Sequence, residues 1–191
     1  TTTDLGCRDS ITKNVVINDL PNPYFSYNTI CQDDSVTVQQ MAVSGITGQP
    51  IVSYYWDLDN DGATDDTDTI AKYSFGSVVG LYPVELRVTD SLGCTDSITR
   101  QIFVNPNPVV EFTSTNVCLG APINFFDQSS VQFGNLTEWS WAFGVGTDSS
   151  SLQNPGYLYT NPGSYPVFLE VTSDSGCLSS VNDSVAVSYT H

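Results

Sequence analysis

The sequence GLYPVELRVTD at residues 80–90 alternates apolar and polar side chains with a period of two. Because successive residues of a strand point to opposite sides of a sheet, this pattern predicts a strand with one buried face. Gly80 before it and the Asp-Ser-Leu-Gly stretch that closes it are turn signals that bound the strand. The face predicted to be buried consists of Tyr82, Val84, Leu86 and Val88, and the opposite face consists of Pro83, Glu85 and Arg87.

A second copy of this pattern, GSYPVFLEVTS, lies at residues 163–173 and places Tyr165, Val167, Leu169 and Val171 on one face. Turn signals rich in glycine, asparagine, aspartate and proline separate further short apolar runs at the spacing of a β-sandwich. No stretch sustains an apolar period of 3.6 residues. The chain is therefore predicted to be all-β.

Two longer motifs indicate that the sequence is built from repeats. DLGCRDSIT at residues 4–12 returns as SLGCTDSIT at residues 91–99 and, more loosely, as DSGC at residues 174–177. An Asn-Pro pair followed by a cysteine also occurs twice, with the cysteine at Cys31 and at Cys118. The spacing indicates a unit of about 85 residues. We therefore predict the last strand of a preceding repeat or a linker at residues 1–17, repeat 1 at residues 18–105 and repeat 2 at residues 106–191.

The charge of the chain narrows the classes of partner. Its 21 acidic and 5 basic residues give a formal net charge of -16, and the basic residues are scattered along the sequence. Binding to nucleic acid or to an anionic membrane surface is therefore not expected, because both need a basic patch. An acidic chain of this kind is expected to attract divalent cations, since they relieve the repulsion between its carboxylates.

The cysteines indicate an exported protein. Five cysteines in a regular layout and few lysines fit an extracellular protein better than a cytosolic one. A zinc site is disfavoured, because the cysteines lie far apart and the only histidine is His191. No apolar run approaches the ~20 residues of a membrane span, so direct membrane insertion is not expected. Because residues 4–12 already continue the repeat pattern, we expect the chain to be a segment of a longer protein.

An aromatic strand runs into six carboxylates at residues 54–68, YYWDLDNDGATDDTD. Three carboxylates at alternate positions with a glycine directly after them give the ligand order of a calcium loop, in which side chains converge on the ion while the glycine allows a sharp turn. Asp68 stands where the helix-loop-helix version has a longer glutamate, which indicates a weak calcium site. The segments on either side are predicted strands, so this site would lie on a loop of a sheet. The alternative is a solvated turn. The predicted calcium ligands, in repeat 1 only, are Asp57, Asp59, Asp61, Asp65 and Asp68.

These motifs together resemble the PKD (polycystic kidney disease) domain, whose signature is Trp-Asp-Phe-Gly-Asp-Gly followed by Tyr-x-Tyr and Gly-x-Tyr-x-Val-x-Leu-x-Val. Repeat 1 matches it with YYWDLD at residues 54–59, YSF at residues 73–75 and the strand at residues 80–90. Repeat 2 matches it with WSWAFGVGT at residues 139–147, YLY at residues 157–159 and the strand at residues 163–173. The resemblance implies two tandem immunoglobulin-like sandwiches of seven strands each, in an extended array.

The resemblance also implies roles for single aromatic residues. Trp56 and Trp141 take the positions of the family's buried core tryptophan. Tyr82 and Tyr165 take those of corner tyrosines, whose hydroxyl group caps a loop.

Two further aromatic residues, Trp139 and Tyr55, are expected on the opposite face of their strands from the core tryptophans. An exposed ring there could stack on a sugar. The alternative is packing against a neighbouring strand.

The cysteine-bearing variant of the repeat resembles those of large surface proteins of Bacteroidota, including gliding-motility adhesins. In a sandwich of this type Cys31 and Cys118 would lie at one end of their repeats and Cys94 and Cys177 at the other, beyond the roughly 7 Å between Cα atoms that a disulfide spans. In a linear array, however, a Cys31–Cys177 disulfide could staple the junction and leave Cys7, Cys94 and Cys118 for neighbouring repeats. The alternative is pairing within repeats, Cys31 with Cys94 and Cys118 with Cys177.

A short motif, aspartate followed by serine or threonine and an apolar residue, resembles the O-glycan acceptor of Bacteroidota. Strand alternation alone also produces such triplets. The candidate acceptors are Ser10, Ser35, Thr69, Ser91, Ser97 and Ser184.

For the function, the sequence favours a non-catalytic stalk of a large secreted or surface-anchored bacterial adhesin, stiffened by calcium and disulfides. Repeats joined by the Pro- and Asn-rich linkers at residues 18–23 and 105–108 suit extension, because closely spaced prolines make a semi-rigid connection. Its partners would be neighbouring repeats and a surface polysaccharide or protein. The alternative is a carbohydrate- or protein-binding accessory module of a secreted hydrolase. An enzyme is disfavoured, because the sequence has no nucleophile elbow, phosphate loop or usable histidine.

Overall fold

The fold is all-β. The structure, a computed structural model, describes residues 10–14, 16–46 and 48–189. These ranges contain strands, turns and irregular segments but no helix. They therefore contain no helix that is long and apolar enough to cross a membrane. The fold class predicted from period-two alternation is therefore confirmed.

The first seven strands form one three-stranded and one four-stranded sheet. Their bounds are β1 (Phe25–Tyr27), β2 (Ile30–Cys31), β3 (Ser35–Gln40), β4 (Ile51–Asp57), β5 (Ile70–Ser74), β6 (Gly80–Asp90) and β7 (Thr95–Asn105). The strand order is β1-β3-β5 in the smaller sheet and β2-β7-β6-β4 in the larger one. Strand β2 runs parallel to β7, with Ile30 opposite Val104.

The second seven strands also form one three-stranded and one four-stranded sheet. Their bounds are β8 (Phe112–Ser114), β9 (Ile123–Asp127), β10 (Leu136–Ala142), β11 (Ser149–Ser150), β12 (Gly156–Tyr157), β13 (Gly163–Ser173) and β14 (Leu178–Val187). The strand order is β12-β9-β8 in the three-stranded sheet and β11-β10-β13-β14 in the four-stranded one. The edge strand of the larger sheet differs between the halves: β2 pairs with β7 in the first half, and β11 pairs with β10 in the second. Each half of the described chain thus has seven strands, as the resemblance implied.

The buried and exposed residues of β6 and β13 alternate as the sequence pattern predicted. Val84, Leu86 and Val88 are buried in β6, and the residues between them are half-buried or exposed. The antiparallel register sets Trp56 of β4 opposite Leu86 and Trp141 of β10 opposite Leu169. Both tryptophans are fully buried, so the predicted core positions are confirmed.

The core of the second sandwich is an aromatic cluster beneath β10 and β13. Phe125 lies 5.5 Å from Trp141 and 5.4 Å from Phe143, measured between ring centroids. Val167 and Leu169 of β13 close this cluster from the four-stranded sheet. Rings at these distances add about 0.5–1.5 kcal/mol per pair to the burial of their apolar surface.

The chain divides into two compact units. The first comprises Thr1–Ser26, Gln39–Ala71 and Glu85–Thr99, and the second comprises Tyr27–Val38, Lys72–Val84 and Arg100–His191. The second unit therefore contains, besides β8 to β14, the segments of repeat 1 that surround Cys31. The repeat boundary after residue 105 remains a prediction from the sequence.

The segment before repeat 1 forms no strand where the structure describes it. Residues 10–14 and 16–17 are irregular and exposed, including Ile11, Val16 and Ile17. The turn expected at residues 4–6, Val15 and Cys7 lie outside the described residues. The assignment of residues 1–17 to a preceding repeat or a linker stays a prediction.

The two corner tyrosines take the predicted role. The hydroxyl of Tyr82 donates a hydrogen bond to the carbonyl of Val78 over 2.9 Å, and that of Tyr165 donates to the carbonyl of Asn161 over 2.8 Å. Each bond spans four residues and ties the loop before the strand to the strand itself.

We expect Tyr165→Phe to lower the free energy of unfolding by about 0.5–1.5 kcal/mol, because it removes one hydrogen bond and leaves the ring in place. Urea unfolding monitored by circular dichroism measures this. Tyr189→Phe is the matched control, since Tyr189 is mostly exposed. An equal loss in both variants would contradict a capping role for the Tyr165 hydroxyl.

Candidate functional site

The acidic loop, residues 57–68, is anchored at both ends on Trp56. The amide of Trp56 donates to the carbonyl of Asp66 over 2.9 Å, and the amide of Asp65 donates to the carbonyl of Trp56 over 2.8 Å. The buried indole of Trp56 donates to the carbonyl of Asp68 over 2.8 Å. The loop is therefore held closed by the core residue that precedes it.

Within the loop, Asp57 organises the turn. Its Oδ1 accepts the amide of Asp61 over 3.1 Å, and its Oδ2 accepts the amide of Gly62 over 2.9 Å. Gly62 has a φ of 87°, in the left-handed region that a glycine adopts without strain. Carboxylate oxygens of Asp57, Asp59 and Asp61 consequently lie within 4.8 Å of one another.

The other two predicted ligands have different roles. The Oδ2 atom of Asp65 accepts the amide of Leu58 over 2.6 Å, so this carboxylate braces the start of the loop. Asp68 provides the carbonyl that receives the Trp56 indole. Within the described part of the chain, the structure gathers only Asp57, Asp59 and Asp61 of the five candidates into one group.

The donor set of this group fits a calcium ion. Two oxygens that each lie about 2.4 Å from one ion are at most about 4.8 Å apart, which is the limit that these three carboxylates meet. Each oxygen of Asp57 has a second lone pair beside the one that accepts an amide, so it remains able to ligate a cation. Calcium takes six to eight oxygen ligands, and carbonyl groups and water would complete the set.

The corresponding loop of the second sandwich, residues 143–148, lies beside a group of aromatic rings instead. Phe143 stacks on Tyr157 with centroids 4.5 Å apart, and Tyr159 stacks on Tyr165 at 4.2 Å. Gly144 is required here, because a Cβ atom would lie 2.3 Å from the carbonyl oxygen of Pro166. The three tyrosines and the glycines of the loop line an open cleft of about 670 Å³.

The single carboxylate of this loop, that of Asp148, accepts a hydrogen bond from the hydroxyl of Tyr157. This bond, with a smaller contribution from burial, raises the pKa of Tyr157 to about 12. Burial raises the pKa of Tyr159 to about 12 as well. Both phenols are therefore neutral over the whole physiological range.

Cys31 and Cys177 form a disulfide, with Cα atoms 5.6 Å apart and 146 residues between them in sequence. The cysteines lie in different predicted repeats, at the end of β2 and at the β13–β14 hairpin. The alternative pairings within repeats, which would use Cys94 and Cys118, do not occur, since both of these cysteines are free thiols. We call the Cys31–Cys177 bond the staple.

Next to the staple, Gln32 clasps the linker between the repeats. Its side-chain carbonyl accepts the amide of Asn107 over 2.9 Å, and its backbone carbonyl accepts the Asn107 side-chain amide over 3.2 Å. Its own side-chain amide donates to the carbonyl of Ser77 over 2.6 Å. Phe103 and Phe133 add an edge-to-face contact between β7 and the second sandwich, with centroids 6.4 Å apart.

The strand face expected for Trp139 is wrong. Trp139 precedes Trp141 by two residues, so both point to the same side of β10, and Trp139 packs half-buried against the aromatic core. Its indole donates to Oδ2 of Asp127 over 2.8 Å. Burial would raise the pKa of Asp127, but hydrogen bonds from Ser129, Gln153 and Trp139 outweigh it and lower that pKa. The half-buried ring packs against its own sandwich, as the alternative held, and a role of Trp139 in stacking on a sugar stays a prediction.

The remaining candidates are on the surface. Tyr55 is 39% exposed and faces Arg87 across the β4–β6 pair, and no described partner aromatic ring accompanies it. The hydroxyl-bearing candidates for glycosylation are all exposed, which leaves modification a prediction; they are Ser10, Ser35, Thr69, Ser91, Ser97 and Ser184.

Sequence reasoning missed the Gln32–Asn107 clasp and the aromatic cleft. Gln32 directly follows a cysteine, and Asn107 lies in the Asn-Pro-Asn-Pro linker, so their positions flank recognised motifs. Only the tertiary structure shows that they are hydrogen-bonded, because 75 residues separate them.

We expect Tyr157 to titrate near pH 12 and Asp148→Asn to move its pKa toward the ordinary value of about 10. Because the folded-state pKa is raised, this bond stabilises the fold fully below about pH 10 and the contribution is lost as the pH rises toward 12. ¹³C NMR of the tyrosine Cζ resonances measures the titration. Asp183→Asn, at an exposed carboxylate, is the control. An unchanged titration in Asp148→Asn would contradict the assigned cause.

Comparison with known proteins identifies the second half of the chain. The model of the PKD domain matches residues 105–188. The pre-pro-metalloprotease PrtV of Vibrio cholerae serotype O1 is 26% identical over 149 residues, which are 78% of this chain and 16% of PrtV. The chain thus spans about a sixth of the length of that curated relative.

Two solved PKD domains are similar to part of the chain. The PKD1 domain of Vibrio anguillarum Epp is 30% identical, with 45% of this chain and 99% of that domain covered and a TM-score of 0.42. The PKD1 domain of Vibrio cholerae metalloprotease PrtV is also 30% identical, with 43% and 98% covered and a TM-score of 0.40. Through the segment that the family model matches, residues 105–188, the chain belongs to the PKD domain family.

Proposed function

We propose that this chain is a non-catalytic spacer segment of a larger extracellular bacterial protein, in which rigid tandem PKD repeats hold a distant functional region away from its attachment point. PKD domains are in general non-catalytic accessory modules, as in the protease PrtV. The proposal extends this role to both predicted repeats and to a surface adhesin as the parent protein. The observation that carries it is the staple, a covalent bond that joins Cys31 of one predicted repeat to Cys177 of the next.

The staple and the clasp together oppose bending at the linker. A flexible linker would leave neighbouring repeats free to reorient, whereas a disulfide between them removes most of that freedom. Gln32 adds two hydrogen bonds to Asn107 within the same compact unit. Buried Pro106 and Pro108 on either side of Asn107 restrict the linker further. Such a joint suits a protein that transmits force or maintains a distance.

Calcium is proposed as a second stiffening element, bound by Asp57, Asp59 and Asp61 in repeat 1 only. The acidic loop already has its backbone amides directed at the carboxylates, so little reorganisation is needed for binding. The charge of the chain supports this, because a divalent cation would offset part of a net charge of -16. Asp65 and Asp68 would hold the loop in shape instead of ligating the ion.

The aromatic cleft of the second sandwich favours one alternative, a carbohydrate-binding accessory module. Its volume of about 670 Å³ is in the range of small-molecule sites, and Tyr157, Tyr165 and Asp148 line it. Against this, the described rings stack mainly on one another.

Chemical-shift perturbation by a panel of oligosaccharides distinguishes the two functions. Saturable shifts at these three residues would support the binding module and contradict a purely spacer role.

The staple is expected to stabilise the chain and to restrict motion between the repeats. Removing it in Cys31→Ser/Cys177→Ser should lower the free energy of unfolding by about 2–4 kcal/mol and broaden the distribution of radii in small-angle X-ray scattering. Cys94→Ser/Cys118→Ser is the matched control, because these thiols are unpaired. If the staple variant has the scattering profile of the wild type, the proposed rigid joint is wrong.

Calcium at about 2 mM is expected to raise the midpoint of thermal unfolding, relative to chelator. For a weak extracellular site with a dissociation constant on the order of 0.1–1 mM, mass action gives about 0.6–1.8 kcal/mol of stabilisation. Asp59→Ala should abolish the shift, because it removes the ligand oxygens, and Asp183→Ala should retain it. Identical curves with calcium and chelator would show that the acidic loop is a solvated turn, while leaving the staple proposal intact.

A further inference from the structure

The two free thiols of the described chain stand in the same local structures as the two cysteines of the staple. We name Cys31 and Cys118 the leading cysteines, because each is the first of its repeat, and Cys94 and Cys177 the hairpin cysteines, because each lies between the last two strands of its repeat. The staple joins the leading cysteine of one repeat to the hairpin cysteine of the other. The equivalent cysteines, Cys118 and Cys94, are partly exposed.

The two leading cysteines have matching backbone hydrogen bonds. The residue after Cys31, Gln32, donates its amide to the carbonyl of Asn105 over 2.9 Å, and the residue after Cys118, Leu119, donates to the carbonyl of Ser188 over 3.0 Å. Both cysteines lie in a parallel pairing with the end of the repeat's last strand or just beyond it.

The turn that follows each leading cysteine is also the same. The carbonyl of Cys31 accepts the amide of Asp34 over 3.1 Å, and the carbonyl of Cys118 accepts the amide of Ala121 over 3.2 Å. The residue two positions after each cysteine has a positive φ, 67° at Asp33 and 99° at Gly120. Cys118 is therefore held in the backbone geometry that Cys31 has in the staple.

The two hairpin cysteines match equally well. The carbonyl of Cys94 accepts the amide of Asp90 over 3.0 Å, and that of Cys177 accepts the amide of Ser173 over 2.8 Å. The amide of Cys94 donates to the Asp90 side chain over 2.9 Å, and the amide of Cys177 donates to the Ser173 side chain over 3.2 Å. The preceding glycines have φ values of 84° and 83°. Cys94 is thus presented by the same turn as Cys177.

The hairpin of Cys94 also retains an unmet hydrogen-bonding group. Oδ2 of the buried Asp90 has no hydrogen-bond donor among the described residues. The equivalent Ser173 hydroxyl is fully engaged, with Ser175 and with the backbone of Cys177. A buried acceptor without a donor is costly, so this side chain is a point at which the Cys94 hairpin differs from the Cys177 hairpin.

From these equivalences we propose that Cys118 forms a disulfide with the hairpin cysteine of another repeat of this kind, and that Cys94 forms one with the leading cysteine of another. A staple would then close every junction of a longer array, with the same pairing rule throughout. The partner is a PKD-type repeat that carries these two cysteines, and a second copy of this chain offers both halves. The inference deepens the proposed spacer function and rests on it for its biological purpose, but not for its chemistry.

The bond forms by thiol–disulfide exchange with a small disulfide such as oxidised glutathione. The thiolate of Cys118 attacks the glutathione disulfide and releases one reduced glutathione, and a mixed disulfide results. The thiolate of Cys94 in the second molecule then attacks the protein sulfur of that mixed disulfide and releases a second reduced glutathione. Two protein thiols are oxidised, and one glutathione disulfide is reduced to two thiols.

The test is oxidation of the concentrated full chain in a glutathione redox buffer, with Cys7→Ser introduced to remove the fifth cysteine. Non-reducing electrophoresis should show a ladder of dimers and higher oligomers that collapses with reductant. Mass spectrometry of non-reduced peptides should find the Cys118 peptide joined to the Cys94 peptide at least tenfold more often than either is joined to itself. The proposed pairing joins a leading cysteine only to a hairpin cysteine, so the molecules must associate head to tail.

Two single variants on that background sharpen the test. Cys118→Ser and Cys94→Ser should each end the ladder, because each leaves one thiol without its partner, and a mixture of the two variants should give a dimer and nothing larger. Symmetric Cys118–Cys118 or Cys94–Cys94 dimers as the main products, or only monomer under conditions that keep the staple formed, would overturn the proposal. Neither of these results bears on rigidity at the Cys31–Cys177 junction, so a failure here is separable from a failure of the spacer function.

Discussion

The buried tryptophan of the four-stranded sheet is the interaction on which each half of the structure depends. Trp56 and Trp141 fill the space between strands, and each also donates its indole N–H to a loop carbonyl, that of Asp68 and that of Leu152. A ring of this size buries about 150–250 Å² of surface, so it dominates the packing around it. The polar edge of the same ring fixes the loop that follows the strand. Core and loop are therefore positioned by one side chain, and loops of unlike sequence can be carried on the same frame.

The two halves of the chain carry loops of different chemistry on the same frame. After Trp56 the chain enters a loop whose amides point at clustered carboxylates, and this arrangement has the charge and spacing that a divalent cation needs. After Trp141 the equivalent stretch contains two glycines of positive φ, its Phe143 stacks on Tyr157, and Asp148 accepts a hydrogen bond from Tyr157. The frame is common to both, but of the two described loops only the first gathers three carboxylates, and calcium is therefore proposed for that loop alone. Function in this fold depends on such loops and junctions, because the sandwich itself serves many functions.

The junction adds a constraint that neither repeat contains alone. The staple, the Gln32–Asn107 clasp and the Phe103–Phe133 contact lie within one compact unit, which includes the Cys31 end of the first repeat. The structure thus gathers covalent, polar and apolar contacts where a tandem protein would otherwise bend. This is why the joint, and not a pocket or a catalytic group, carries the proposed function. The same local geometry around Cys94 and Cys118 is the basis for proposing that the joint is a repeated element.

The sequence alone determined the all-β class, the strands β6 and β13 with their buried faces, the core tryptophans and the corner tyrosines, because each follows from a local period of two or from a short motif. It also located the carboxylates of the acidic loop, but not which of them converge: Asp65 turns to the amide of Leu58, a choice made by three-dimensional closure of the loop. Trp139 was assigned to the wrong face by position in a motif, although its spacing of two from Trp141 already placed it on the core side. The cysteine pairing and the clasp were decided by tertiary structure, since they join residues 146 and 75 positions apart, and spacing along a chain does not specify which ends of two repeats meet.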